Sequence, residues 1–376
     1  MIQINQLSFW EKRTFFEGID FVIVGAGIVG FTTAIHLKKL RPKAKIIIIE
    51  RGFLPTGASS KNAGFTCFGS PTEILDDLNN FSEDIVWQTV EMRFKGLKEL
   101  FQIVENHDIG HEKNGSWEII KDGETNVDES FIDYLNLKCE NLFDIKHVYS
   151  EDTDSSKRFG FRNVQTTYFN SQEGQLDTGK LIQSLHSIAN SLGIISLFGI
   201  ELISFEDHLN KVDLECTFGH FSCQKLLICT NGFAGKFLGN EVLPARAQVL
   251  VTNPIENLPF KGTFHLDKGY YYFRNIDNRI LLGGGRNLDF KGETTTELDV
   301  TQKIQDSLIE LLKTTIIPSK SFQIDYQWAG IMGVGQTKFP IIRKHSDRVG
   351  FGVRMGGMGV AIGSIVGKEL SQLMCD

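Results

Sequence analysis

The stretch from Ile19 to Glu50, IDFVIVGAGIVGFTTAIHLKKLRPKAKIIIIE, decides the fold. IDFVIV (Ile19 to Val24) is a short apolar run suited to a buried strand, and GAGIVG (Gly25 to Gly30) is a glycine turn. Apolar residues then recur at helical spacing from Ile28 to Leu40, and KIIIIE (Lys45 to Glu50) supplies a second buried strand. Gly25, Gly27 and Gly30 match G-x-G-x-x-G, with Ile28 and Val29 between them. In that pattern the glycines allow a tight turn, close approach of a pyrophosphate and close helix packing. The acidic Glu50 follows the last glycine by roughly 20 residues, at the end of the second strand, where it can accept hydrogen bonds from ribose hydroxyls. Strand, turn, helix and acid in this order specify a βαβ unit that binds a dinucleotide.

Working outward, GASSKNAG (Gly57 to Gly64) is dense in small and polar residues, and the spacing from Thr72 to Asn106 predicts helices. SWEII (Ser116 to Ile120) reads as a strand, Phe131 to Leu142 and Leu181 to Leu192 as helices, and KLLICTNGF (Lys225 to Phe233) as a buried strand running into a turn at Thr230 and Gly232. QVLVT, KGYYYFRN and RILLGGG, between Ala245 and Gly285, have the β-branched and aromatic content of an antiparallel sheet. VGFGVRMGGMGVAIGSIVGKELSQLM repeats the logic of strand, glycine turn and helix at the C-terminus. The expected fold is therefore α/β: a discontinuous Rossmann-like dinucleotide-binding domain (residues 1–80, 150–240 and 325–376) with a second, antiparallel-sheet substrate domain (81–149 and 241–324).

A chain of 376 residues with 41% hydrophobic and 23% charged residues is ordinary for a globular protein of two domains. A net charge of −7 argues against nucleic acid as a partner. The six cysteines form no C-x-x-C pair, and no signal-like or membrane-spanning apolar run is evident, so the expectation is a reduced, cytoplasmic protein without an integral membrane segment. His107 and His111 are four apart but lack companion ligands, so they read as surface histidines and no metal is expected. No G-x-S-x-G elbow or phosphate-binding P-loop occurs, which removes the hydrolase and kinase classes.

GASSKNAG resembles the flavin-contacting loop of the D-amino-acid oxidase superfamily, which includes glycine oxidase and sarcosine oxidase. Further segments resemble that family in order: QLDTGKL (Gln175 to Leu181, with Thr178 where a Pro is usual), PARAQVLVT (Pro244 to Thr252), WAGIM (Trp328 to Met332) with Phe339-Pro340, and RMGGMGV (Arg354 to Val360). The resemblance implies FAD rather than NAD. It places Arg51, Ser59, Ser60, Lys61, Asn62, Ala63, Gly64, Thr230, Gly232, Gly330, Gly356, Gly357, Met358, Gly359 and Val360 at the cofactor, beside Gly25 to Gly30 and Glu50. The glycines before Val360 would also aim a positive helix end at the ring and favour its anionic reduced form. Relatives tether flavin through Cys or His where this chain has Met332 and Lys61, so non-covalent FAD is expected.

The resemblance further implies oxidation of the C–N bond of an amine or amino acid, with hydride passing to flavin N5 and oxygen or another electron acceptor completing the cycle. A dehydrogenase acting on a hydroxy acid or similar substrate through a quinone or other carrier is one alternative, and a non-catalytic flavin-binding protein is another. The arginines that grip a substrate carboxylate in glycine oxidases are replaced here by Met332 and Gly356, which leaves Arg246, Arg274, Arg286 and Arg354 as anion partners to be tested. Tyr270 and Tyr272 alternate with Tyr271 along a strand and are read as facing the ring, and Lys61 is a further candidate as a positive charge that favours oxygen activation.

Overall fold

Residues 4–124 and 126–375 are described in the computed structural model; residues 1–3, 125 and 376, which belong to the units read from sequence, lie outside them. The first unit is a six-stranded sheet. Its order is Ile341–Lys344, Val349–Val353, Lys225–Ile228, Phe21–Val24, Ile46–Glu50 and Ile195–Phe198. All neighbours are parallel except the hairpin of the first two strands. Both faces are covered, which is why its central strands are apolar throughout. Phe21, Ile23, Ile46 and Ile48 pack into one core with the helices. Val22, Val24, Ile47 and Ile49 pack into another, beneath the three-stranded meander Leu202–Asp207, Val212–Cys216, Gly219–Cys223.

The helix after the glycine turn spans Ile28–Leu40, as the spacing predicts, and ends just before Arg41-Pro42, where the proline disfavours helical geometry in its predecessor. It lies against the C-terminal helix Gly359–Cys375, which in turn lies against Glu83–Ile103. Glycines set those crossings: a Cβ on Gly367 would fall 2.2 Å from Thr32 Oγ1, and one on Gly96 would fall 2.0 Å from Ala361 O. The helices Glu129–Phe143 and Thr178–Ser191 start at Asp128 and Asp177, whose carboxylates accept from Phe131 N and Lys180 N. Thr178 occupies the first helical position, where the proline usual in the resembling family is also tolerated.

The second unit is an eight-stranded sheet ordered Ile324–Val334, Leu243–Thr252, Arg279–Gly284, Tyr271–Ile276, Thr263–Leu266, Ser116–Lys121, Val164–Asn170 and Tyr149–Glu151. Its pairs are antiparallel apart from Thr263–Leu266 beside Ser116–Lys121. Residues alternate between its faces: Leu250, Ile280 and Leu282 pack with the helix Gln302–Leu311, while Val249, Val251 and Leu281 face Ala63 and Phe65.

Three stretches change unit relative to the sequence reading. Residues 150–170 and 325–334 were expected in the dinucleotide-binding domain but carry strands of the eight-stranded sheet. The helix Glu83–Ile103, expected in the substrate domain, buries Val86, Val90 and Leu97 in the core of the first unit. Periodicity identifies an element, whereas its partner is set by long-range register that no local pattern displays.

Candidate active site

A cleft of about 660 Å³ runs between the two units. At one end it is walled by Gly25, Gly27, Ile28 and Val29. Gly25 adopts φ +105°, and a Cβ there would approach Cys229 O to 2.9 Å, so this close-packed turn favours glycine. Gly30 does not line the cleft. A Cβ on it would sit 1.8 Å from Gly25 O, so its role is to close the turn. Glu50 lines the cleft with its carboxylate held by Ala26 N (3.0 Å) and Gly52 N (2.9 Å). Arg51 stacks on Phe233 at 3.8 Å, and Thr230, also in the wall, has a buried hydroxyl without a hydrogen-bond partner.

The middle of the cleft is framed by Ala58–Lys61 and the loop after it. The polar residues here are used differently from the sequence expectation. Ser59 Oγ accepts from Ile28 N at 3.0 Å and so satisfies the first free amide of the helix. Asn62 spends its amide on Ala58 O, Ser59 O and Gly64 N, all within its own loop. Ser60 lies outside the wall and donates to Pro55 O. Lys61, Ala63 and Gly64 line the cleft, and Trp328 Nε1 donates to Lys61 O at 2.9 Å, which ties this loop to the antiparallel sheet. Gly330, Met332 and the run Gly356, Gly357, Met358, Gly359, Val360 complete this wall at the start of the C-terminal helix. Gly232 sits behind it, where a Cβ would be 2.4 Å from Met332 O.

The four arginines separate sharply. Arg246 is buried in a two-pronged pair with Glu293 (Nε to Oε2 and a terminal nitrogen to Oε1, both 2.8 Å), and Gln248 joins the same carboxylate. Arg274 donates to Leu176 O, and burial draws its pKa down to about 10. Arg354 donates to Phe339 O and Glu241 O. None of these three lines the cleft, because each is consumed by neighbouring backbone or carboxylate. Arg286 does line it: its Nε is buried without a hydrogen-bond partner, and the guanidinium lies 5.0 Å from the Phe290 ring. Tyr270 and Tyr272 line the cleft too, while Tyr271 points to the opposite side and reaches Ser307 Oγ at 3.1 Å.

Sequence reasoning missed a polar group at this end. Glu73, in the first turn of the helix Pro71–Asn80, pairs with Arg93 (3.0 Å) and Lys338 (3.2 Å), and all three line the cleft. Burial alone would raise the Glu73 carboxyl, but the two cations outweigh it and hold its pKa at about 2. A signal for Arg93 existed: it stands in the apolar stripe Val86, Val90, Leu97, where a charge requires a partner. His265 and Cys67 also line the cleft, and with Glu173 they bring ligand-type atoms within 4.8 Å of one another. This is a cluster the sequence did not reveal. Burial raises Glu173 to about 7 and the Cys67 thiol well above its ordinary value, so the thiol stays protonated at neutral pH. His111 is exposed beside the Phe101 ring, and the six cysteines are all free. Among the described residues no helix is long and apolar enough to cross a membrane.

The family model described as FAD dependent oxidoreductase matches residues 20–373, nearly the whole chain. The chain belongs to this family of FAD-dependent oxidoreductases. The fold of this flavoenzyme is similar to that of L-proline dehydrogenase from P. horikoshii (17% identity, 95% of this chain and 93% of the other, TM-score 0.76). It is similar also to glycine oxidase from Geobacillus kaustophilus (19%, 94% of each chain, 0.73). A third likeness is to L-alpha-glycerophosphate oxidase from Mycoplasma pneumoniae with FAD bound (15%, 95% and 94%, 0.73). No curated protein sequence matches this oxidoreductase.

Proposed function

We propose that this FAD-dependent oxidoreductase oxidises the C–N bond of an amino acid, with the substrate carboxylate on Arg286 and the cofactor bound without a covalent tether. The observation that carries the reading is Arg286 itself, a half-buried guanidinium in the cleft wall with no carboxylate partner among the described residues. A guanidinium in that state favours an incoming carboxylate, which it can grip by two parallel hydrogen bonds. The tyrosines at 270 and 272 stand in the same wall, and burial keeps the Tyr272 phenol protonated, with its pKa raised to about 12.

The residues of the cleft fit FAD. Gly25, Gly27, Ile28 and Val29 leave room for a diphosphate at a helix start, and Glu50 suits ribose hydroxyls. Residues Lys61 to Gly64, Met332 and Gly356 to Val360 would surround the ring. Met332 offers no nucleophile for a tether, and the raised pKa of the Cys67 thiol makes it a poor one. When bound, FAD supplies the hydride acceptor. The protein's own share is to orient the substrate carbon, exclude water with Tyr272 and Phe65, and present positive charge at Arg286. The imine product hydrolyses in water.

Two similar structures, a proline dehydrogenase and a glycine oxidase, act on amino acids by their names, whereas the glycerophosphate oxidase favours a second reading in which a C–O bond is oxidised. Anaerobic titration of the purified flavoprotein with α-amino acids, N-methylated amino acids, polyamines, hydroxy acids and glycerol phosphate separates the two. Bleaching of the flavin by an amino acid supports the proposal. Bleaching only by hydroxy acids or glycerol phosphate replaces it with the second reading, and a flavin that none of them reduces overturns both.

A further inference from the structure

The short strands Phe65–Thr66 and Gly174–Gln175 pair as a two-stranded ribbon in which Thr66 lies opposite Gly174. One step further along the same register, Cys67 and Glu173 face each other at the end of the ribbon, both almost fully buried. His265 joins them from the strand Thr263–Leu266 of the eight-stranded sheet. One atom from each, the sulfur, a carboxylate oxygen and a ring nitrogen, lies within 4.8 Å of the other two. His265 Nε2 is buried without a hydrogen-bond partner, a costly state for an interior nitrogen unless something satisfies it.

The other polar groups around the ring are engaged elsewhere. Glu118, cross-strand from His265 on Ser116–Lys121, accepts from Ser70 Oγ, Thr72 N and Thr72 Oγ1. Glu73 is held by Arg93 and Lys338. Tyr272, cross-strand on the other side, keeps its proton through burial. Within the cluster, Glu173 Oε1 accepts from Phe68 N and Gly69 N, which fixes the carboxylate in place. The Cys67 thiol and the Ser116 hydroxyl are within hydrogen-bonding reach of that carboxylate, and Thr263 Oγ1 lies 3.7 Å from the sulfur. The cluster therefore holds a donor set fixed by backbone, with an exchangeable thiol proton at its centre.

We propose that Cys67, Glu173 and His265 bind a zinc ion that staples the ribbon to the eight-stranded sheet. Thiolate, imidazole and carboxylate together are ligands of Zn2+, whereas Mg2+ and Ca2+ take oxygen alone. Charge balances as well: thiolate and carboxylate cancel the two positive charges, so the interior gains no net charge. The thiol proton, and the carboxyl proton where present, leave to solvent as the metal enters during folding. Tetrahedral zinc sets ligand atoms about 3.4–3.6 Å apart, so the 4.8 Å limit contracts by at most about 1.4 Å. Water or the Thr263 hydroxyl takes the fourth position. The ion crosslinks segments roughly 100 residues apart, whose closure otherwise costs chain entropy. By holding Phe65 and Cys67 against the sheet it fixes one wall of the cleft, a structural role that does not depend on which substrate is oxidised. The expectation of no metal came from ligands close in sequence, and these three are brought together only by strand pairing.

The test uses the flavin-loaded protein, expressed with zinc in the medium and dialysed against EDTA. Elemental analysis should find zinc stoichiometric with the chain, and X-ray absorption at the zinc edge should show a single sulfur among nitrogen and oxygen ligands. Because the site is interior, a chelator should capture the metal only as the protein unfolds in urea. Cys67→Ser, Glu173→Gln and His265→Asn should each lose most of the zinc, whereas His111→Asn, at an exposed histidine outside the cluster, should keep it. The flavin-to-protein ratio of each variant separates loss of metal from loss of fold. Full zinc in folded Cys67→Ser or His265→Asn overturns the proposal. Where the variants do not fold, the wild type decides alone: flavin-loaded protein without stoichiometric zinc, or zinc with no sulfur ligand, overturns it.

Discussion

On one side of the cleft the turn that starts at Gly25 presents backbone, and within the 30 residues from Phe21 to Glu50 the chain has supplied strand, turn, helix start and the acid Glu50. On the other side His265 and Tyr272 present side chains from two strands and Arg286 from the short turn Arg286–Leu288, opposite Glu73 and Arg93 from two helices. The first wall is local and tolerates no added atoms, whereas the second is assembled over long range from groups whose roles depend on their neighbours. Substitutions in the two walls should therefore fail in different ways.

The largest effect is expected at the turn. Gly30→Val places a side chain against Gly25 O and should abolish flavin binding and most soluble expression, read as the flavin-to-protein ratio. A soluble variant with full flavin would break the distinction. Next comes Arg246→Met, which strands the buried Glu293 carboxylate and should cost about 3–5 kcal/mol in urea unfolding. A stable variant with impaired substrate binding would instead return Arg246 to the site.

Glu118, buried on the strand Ser116–Lys121 beside His265, makes the second unit sensitive to pH. Burial raises its pKa to about 7 from an ordinary 4.5, so its stabilising contribution is full below pH 4.5 and is lost as pH rises through 7. At about 1.4 kcal/mol per unit, the loss is on the order of 3 kcal/mol. Glu118→Gln should flatten the decline in Tm between pH 5 and 8 relative to wild type, and parallel curves would count against the assignment.

A smaller and more selective effect is expected at Arg286. Arg286→Met should raise KM for the amino acid by roughly 10- to 100-fold, the cost of about 1.5–3 kcal/mol for a hydrogen bond to a charged group, and leave Tm nearly unchanged. Equal loss for amines without a carboxylate would refute the anchor. The smallest effect is at Lys61, partly exposed beside Gly330: Lys61→Met should slow reoxidation of reduced flavin by oxygen, and an unchanged rate constant removes it from that role.

Legibility followed the same division. The element from Ile28 to Leu40 matches its predicted bounds because Gly27 and the Arg41-Pro42 step are local start and stop signals. By contrast, a domain boundary was read at residue 325, within the strand Ile324–Val334, because its partner, Leu243–Thr252, lies some 80 residues away. The family resemblance placed Ser60 and Asn62 at the cofactor; Asn62 lines the cleft while its side-chain amide bonds within its own loop, and Ser60 lies outside the wall. The four arginines were equivalent as letters.

By itself the sequence determined the dinucleotide turn, its helix and acid, the antiparallel second unit and the family resemblance, since each resides in contiguous residues whose backbone requirements are local. Only the tertiary structure decided that Arg286 lacks a carboxylate partner among the described residues while Arg246 is paired, and that Glu73 is held ionised between Arg93 and Lys338. The charge state and availability of a side chain are set by burial and by partners distant in the chain, and those exist only once the strands and helices have packed.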